Sequence, residues 1–420
     1  MVDSLVNLGW NRDVAFFVAS LLGAVVLASF GLVWIIFAIW LERKLAGRIQ
    51  DRIGPNRAGP YGLFQTFADL FKLITKEDIT PAGADRHIYN IAPIMVVASI
   101  VLIFAVIPFS ATWVGADLNI GVLYFIAVGS LATLAIMLAG WGSNNKYALL
   151  GAFRVIAALI SYEVPMILSV AVPVLLAGTM SMQGIVHRQS IAYIFVAPVS
   201  AFIFFVSQLA EAGRSPFDLI EAESEIIAGY NIEYSGMKFG MFMASEFIHA
   251  FVISLLTVIL FLGGWQFLGA GHPGSELFGF IVVMGKAMLV YFVVILIRST
   301  TPRIRIDHMM AFNWKFLVPL ALVNLIVVAF CARIFVPDYA AAQAVADGGG
   351  LGGFLAGMFG VGFIAELPRA ALCLVANIGL WVVASRLLRQ YSDQERDRVR
   401  QLIQERRDQR GQTAPAAAGR

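Results

Sequence analysis

Nine nearly continuous apolar runs, each about as long as a bilayer is thick, dominate this chain of 420 residues: roughly 14–41, 88–108, 121–140, 152–177, 191–209, 240–267, 278–297, 316–335 and 370–387. A helix of ~20 apolar residues crosses the ~30 Å hydrocarbon layer, whereas a strand of a membrane barrel would alternate apolar and polar residues. These runs do not alternate. With 59% hydrophobic and 14% charged residues, the composition is outside the range of soluble domains. The expected fold is an all-α polytopic membrane protein of eight to nine transmembrane helices, the ninth run being the weakest of the set, with an amphipathic helix on the cytoplasmic side.

Charge placement gives the orientation. With nine spans, one face receives the loops around 42–87, 141–151, 210–239 and 298–315 and the tail after Arg386, and with Arg154 at the membrane edge it holds 25 of the 30 Lys and Arg residues. The other face holds Arg12, Arg188, Arg333 and Arg369, and Lys286 lies inside a span. The positive-inside rule then puts the N-terminus outside and the C-terminus in the cytoplasm. A long first run followed by a basic loop reads as a span rather than a cleaved signal. The formal charge of +3 carries no indication of nucleic-acid binding, because the basic residues are placed by topology and by the tail.

Several chemistries are excluded. Cys331 and Cys373 lie in separate apolar segments and form no CxxC motif, so they read as small buried residues. His87, His187, His249, His272 and His308 have no metal-ligand spacing, and no phosphate-binding loop is present. GVGFIA at 360–365 follows no strand and reads as helix packing or loop. No redox cofactor or nucleotide is expected in this chain itself.

The segment QLAEAGRSPFDLIEAESEIIAGYNIEYSG, 208–236, carries Glu211, Asp218, Glu221, Glu223, Glu225 and Glu233 between two membrane-length runs. An ionised side chain at a helix centre costs roughly 2.5–3.5 kcal/mol on insertion scales. Carboxylates so close to hydrocarbon therefore belong either to a solvated acidic loop or to a path for charge or protons. Glu163 in SYEVP falls within the fourth run, Glu246 and His249 stand three residues apart in the sixth, and Lys286 is in the seventh. Each should face the bundle interior or a hydrated cavity. A structural ion pair accounts for one such acid; Glu163, Glu211 and Glu246 beside the acidic loop form a line suited to a proton relay.

The loop after the first run begins basic and turns at Gly54-Pro55 and Gly59-Pro60. From Leu63 onward Phe64, Phe67, Leu70, Phe71 and Ile74 form one apolar stripe, with Gln65, Asp69 and Lys72 off it. This predicts a helix of about fourteen residues, too short to span, lying along the interface or roofing a cavity; the plainer reading is an anchor without chemistry. RSTTPRIRIDHMMAFNWKFLVP, with Arg298, Arg303, Arg305 and Asp307, is a second basic loop, explained by topology, by a cavity mouth or by a soluble partner.

Four segments together, ERKLAGRIQDRIGPNRAGPYGLFQTFADLFKLITKE, SNNKYALLGAFRVIAALISYEVP, LAEAGRSPFDLIEAESEIIAGYNIEYSGMKF and RSTTPRIRIDHMMAFNWKFLVPLAL, resemble the quinone-site membrane subunits of respiratory complex I over roughly residues 15–335. Membrane subunits of certain hydrogenases are related, but the full acidic loop followed by NIEYSG is closer to complex I. The resemblance implies a membrane subunit of a proton-translocating NADH–quinone oxidoreductase in the bacterial inner membrane. Its substrate is a quinone (ubiquinone or menaquinone), with FMN and iron–sulfur clusters in soluble partner subunits. It implies further partners in small membrane subunits leading to antiporter-like ones, and a quinone tunnel entered between the first and sixth spans and the amphipathic helix. By motif position it assigns Arg43, Asp69, Lys72, Phe217 and Arg298 to the cavity, and Glu163, Glu211, Glu221, Glu223, Glu225, Glu233 and Glu246 to a line of acids leading away from it.

The resemblance covers a membrane domain of residues 1–335 with eight spans; beyond it come an extra loop and ninth span at 336–390 and a charged tail at 391–420. ADGGGLGGFLAG reads as a flexible loop, QERDRVRQLIQERRDQR as a charged helix, and TAPAAAG as a disordered end. The tail either contacts a partner or anionic lipid or is simply solvated. Two other functional classes stay open on the residues alone. A secondary transporter would show inverted repeats, which are not visible here. A structural anchor would leave Glu163, Glu211 and Glu246 unexplained.

Overall fold

The computed structural model describes residues 11–218, 229–266, 275–335, 339–347 and 360–413. Glu221, Glu223 and Glu225 lie outside the described residues, as do most of the glycine-rich stretch and residues 414–420. The chain is an all-α polytopic membrane protein. Its α-helices are α1 (Arg12–Ile49), α2 (Gln65–Thr75), α3 (Arg86–Ile103), α4 (Gly121–Gly142), α5 (Lys146–Ala177), α6 (Met182–His187), α7 (Tyr193–Val196), α8 (Pro198–Glu211), α9 (Gly236–Phe261), α10 (Glu276–Thr300), α11 (Ile306–Ile334), α12 (Tyr339–Asp347) and α13 (Val361–Thr413). Among the described residues eight helices are long and apolar enough to cross a membrane: α1, α3, α4, α5, α9, α10, α11 and the Val361–Gln390 part of α13.

The fifth apolar run departs from the expected single span. Ala197 (φ −134°, ψ 65°) separates α7 from α8, and Pro198 opens α8. Proline has no N–H to continue the preceding helix but is well suited to a first turn. The resulting α8 is only ~21 Å long and ends on Glu211.

Helix α9 is the axis of the bundle, with every residue from Ala250 to Phe261 buried. Trp34 of α1 stacks on Phe251 at 4.1 Å between ring centroids. In lipid such close packing, rather than exclusion of water, holds helices together. Lys286 of α10 donates to the carbonyls of Leu262, Gly264 and Gln266 at 2.7, 2.9 and 2.6 Å. The charge inside the seventh run thus caps the carbonyl end of α9, where the helix dipole favours a cation.

Pro165 within α5 cannot donate to the carbonyl of Ser161, four residues back. The buried Asn313 supplies the missing donor at 2.6 Å, from the first residue of a π-helical turn, Asn313–Leu317, inside α11. This turn of α5, and with it neighbouring Glu163, is held from α11.

The ninth apolar run is the first part of α13, which continues as one helix through the charged segment, 53 residues or ~80 Å in all. It is fastened to the rest of the bundle. The Glu366 carboxylate accepts from the backbone N–H of Ile191 and pairs with Arg369 at 3.3 Å. Trp381 meets Phe202 of α8 edge-on at 5.1 Å, and Cys373 is fully buried and hydrogen-bonded to Cys331 of α11.

Candidate functional site

The amphipathic helix expected from Leu63 is α2, preceded by a 3-10 turn, Pro60–Gly62. Its apolar stripe faces outward: Phe64, Phe67, Phe71 and Ile74 are all exposed. The opposite side lies on the start of α9, where a Cβ on Gly240 would stand 2.8 Å from Leu73. Off the stripe, Asp69 pairs with Arg43 at 2.5 Å and with Lys72 at 3.6 Å. Partial burial raises the Asp69 pKa, but the Arg43 guanidinium and then Lys72 outweigh it and hold the carboxyl below the usual range. Three of the residues assigned to the quinone cavity are therefore in contact.

Arg298 belongs to a second, deeper cluster that sequence reading missed. Glu42, at the end of α1 and 6% exposed, pairs with Arg214 at 2.9 Å and also with Arg298. Arg214 is itself buried and lies over the Phe247 ring at 4.5 Å. One acid against two arginines leaves an excess positive charge. The cluster ties α1, α10 and the turn after α8 together. That turn is bound further to the 301–304 segment: Ser215 donates to the Thr301 carbonyl at 3.2 Å, the Ile304 N–H to Pro216 at 3.0 Å, and Arg303 to Asp218 at 2.8 Å. Phe217 is buried there, its ring 5.4 Å from Tyr162. Tyr162 in turn donates to the Met309 carbonyl at 3.1 Å.

The acids of the spans meet at a separate locus. Glu211, Glu246, His249, Thr133 and Ser245 line one small cavity of about 40 Å³ between α3, α4, α5, α8 and α9, a volume that admits a water molecule. Gln208 donates to Glu211 at 2.6 Å and Thr133 to Glu163 at 3.4 Å. Thr133 touches Glu163 and lines the cavity holding Glu211 and Glu246, so all three acids share one locus.

Glu233 stands apart, held where the acidic segment rejoins the bundle. Asn145, whose side-chain oxygen caps α5 by accepting from the Tyr147 N–H at 2.9 Å, donates its Nδ2 to Glu233 at 2.6 Å. Tyr89 donates to the Glu233 carbonyl at 2.6 Å and stacks on Tyr234 at 4.1 Å. Burial, reinforced by Tyr89, pushes the Tyr234 phenol well up, so it stays protonated despite its hydrogen bond with Ser143. A glycine is required nearby: a Cβ on Gly151 would stand 2.8 Å from the Gly229 carbonyl carbon. Among the described residues no three His, Cys, Asp or Glu side chains gather as a metal site.

Comparison with known proteins gives a consistent family. A family model described as NADH dehydrogenase matches residues 22–329. The H-type subunit of NADH-quinone oxidoreductase from Dehalococcoides mccartyi is 48% identical over 315 residues, 75% of this chain and 87% of its own length. The protein of the same name from Geobacillus kaustophilus is 45% identical over 327 residues, 76% of this chain and 95% of its own. That of Anaeromyxobacter dehalogenans is 43% identical, covering 75% of this chain and 83% of its own length. All of the helix α13 lies beyond the matched residues.

Proposed function

Because this chain belongs to the NADH dehydrogenase family, and its relatives are named as H-type subunits of NADH-quinone oxidoreductase, we propose that it couples reduction of a quinone at the edge of the membrane to proton movement inside it. The chain is a multi-pass membrane subunit of a multi-subunit oxidoreductase whose substrate is a quinone. Partner subunits, carrying FMN and iron–sulfur clusters, supply the electrons. In this reading it sits in the bacterial inner membrane; with the broken α7–α8 pair completing a ninth crossing, the positive-inside rule puts the N-terminus outside and the C-terminus in the cytoplasm.

Arg43, Asp69, Lys72, Phe217 and Arg298 form the membrane side of the quinone cavity. Reduction of quinone to quinol takes up two electrons and two protons, so it creates a local demand for positive charge. The Glu42–Arg214–Arg298 cluster, with its excess positive charge, reaches that cavity through Arg298 and the start of the acidic segment through Arg214, and is sensitive to the demand. Glu221, Glu223, Glu225 and Glu233 of the acidic segment respond first. Protonation then passes to Glu211, Glu163 and Glu246 and on to neighbouring membrane subunits. Each charge moved costs about 2.3 kcal/mol per 100 mV of opposing potential, which quinone reduction must supply.

The observation that carries the reading is the cavity shared by Glu211 and Glu246, bridged to Glu163 through Thr133. Three acids from three helices around one cavity large enough for a water molecule suit a relay and serve no purpose in a passive anchor. The test replaces Glu163 and Glu246 together by Gln in the assembled complex. A relay predicts loss of NADH-driven proton translocation; an anchor keeps full coupled activity.

A further inference from the structure

Helices α11 and α13 pack tightly along one half of their length and part along the other. In the tight half Cys373 and Asn377 are fully buried and Cys331 is nearly so. Toward the basic end the two helices enclose an open wedge of about 920 Å³, walled by Phe316, Leu320 and Val323 on α11 and by Leu380, Val383 and Leu387 on α13. The π-helical turn at Asn313–Leu317 lies at the same level of α11. Ala384, small and buried, forms the floor.

The wedge has a chemical polarity. Its deep walls are apolar, and its open end carries Lys315 and His308, both exposed. Arg386 and Arg389, also exposed, flank Leu387 and Leu388 at the same end of α13. We propose that this wedge is a binding site for one anionic phospholipid of the leaflet at the basic end, with acyl chain against the apolar walls and headgroup at Lys315, His308, Arg386 and Arg389.

Length and charge together select lipid over a protein partner. The α13 wall runs from Leu380 to Leu388 and the α11 wall from His308 to Val323, ~12 and ~22 Å at 1.5 Å per residue. The longer wall, with the basic residues at its open end, approximates half of a bilayer of ~40–45 Å including headgroups, the depth of one lipid; a partner transmembrane helix would need a groove of full membrane length. Basic pockets between transmembrane helices near the membrane surface hold anionic headgroups, and Lys and Arg stems reach from apolar walls to the interface. The site depends on α13, which lies outside the residues matched to the family.

The test uses the assembled complex in phosphatidylcholine vesicles doped with a phospholipid bearing a photoreactive acyl chain, as either phosphatidylglycerol or phosphatidylcholine. After illumination, labelled peptides are mapped. The site predicts labelling of residues 316–323 and 380–388 at least five-fold stronger with the anionic headgroup. Lys315→Gln should cut that preference about five-fold, equivalent to the ~1 kcal/mol one basic residue contributes near a membrane surface. Ala384→Trp, filling the floor, should abolish the labelling. Equal labelling by both headgroups would overturn the proposal in favour of ordinary boundary lipid. Absence of label from both peptides in the unaltered complex would overturn it in favour of a protein covering this face.

Discussion

Asn313 Nδ2 lies 2.6 Å from the Ser161 carbonyl that Pro165 deprives of its helical partner. The bond is buried and joins two helices far apart in sequence, so Asn313 acts as the missing rung of α5. Its loss leaves a carbonyl unsatisfied in an apolar setting.

Asn313→Leu should therefore destabilise the chain by about 1 kcal/mol, within the range seen for hydrogen bonds between membrane helices. The cost should shrink in a Pro165→Ala background, where the backbone again supplies a donor. Thermal unfolding of the purified complex carrying each single and the double substitution measures this coupling. Strict additivity would contradict the pairing.

Glu42 is the one carboxylate between two arginines, and Arg214 is buried with it. Breaking a buried pair leaves an uncompensated charge and costs about 3–5 kcal/mol. Glu42→Gln should lower the amount of assembled complex and its unfolding temperature accordingly, while Glu42→Asp loses less. Unchanged stability in Glu42→Gln would show that solvent already screens the cluster.

Asp69 offers a test by pH. Arg43 and Lys72 lower its folded pKa relative to the ordinary value of about 3.9. Its contribution to stability is therefore complete above that ordinary value and disappears as the pH falls through the lowered folded one. The difference in unfolding temperature between the unaltered and Asp69→Asn complexes should stay constant from about pH 5 to 8 and narrow only in stronger acid. A difference that varies between pH 6 and 8 would mean that the pairing does not hold the carboxylate ionised.

Lys286 explains itself as a helix cap, so it should matter to stability and not to coupling. Lys286→Met removes a charged donor from three carbonyls, and hydrogen bonds to charged groups contribute about 1.5–3 kcal/mol. Unfolding temperature should fall while quinone reduction per assembled complex persists. Loss of turnover at unchanged stability would assign Lys286 to the proton path instead.

Much of this architecture was legible in the residues, and the failures have physical causes. Apolar run length gives the spans directly, because a bilayer sets the length scale. The exception, 191–209, contains Pro198, and run length ignores what one missing N–H does to a helix. The amphipathic helix was legible because Phe64, Phe67, Phe71 and Ile74 repeat at helical spacing. Glu42 was not: its partners Arg214 and Arg298 are 172 and 256 residues away, and only the lone acid in a basic stretch hinted at it. Glu163, Glu211 and Glu246 were visible as misplaced charges, but their convergence at Thr133 depends on the packing of five helices. Periodicity within each helix does not encode that packing.

If Glu211 transmits the charge of quinone reduction, Glu211→Gln in the assembled complex must disable both activities of that complex. NADH-driven quinone reduction and proton pumping are followed together in membranes after assembly has been verified. A relay predicts that both fall at least ten-fold while the complex stays intact. Both proceeding at the unaltered rate would contradict the account and leave this protein as a wall of the quinone cavity and an anchor.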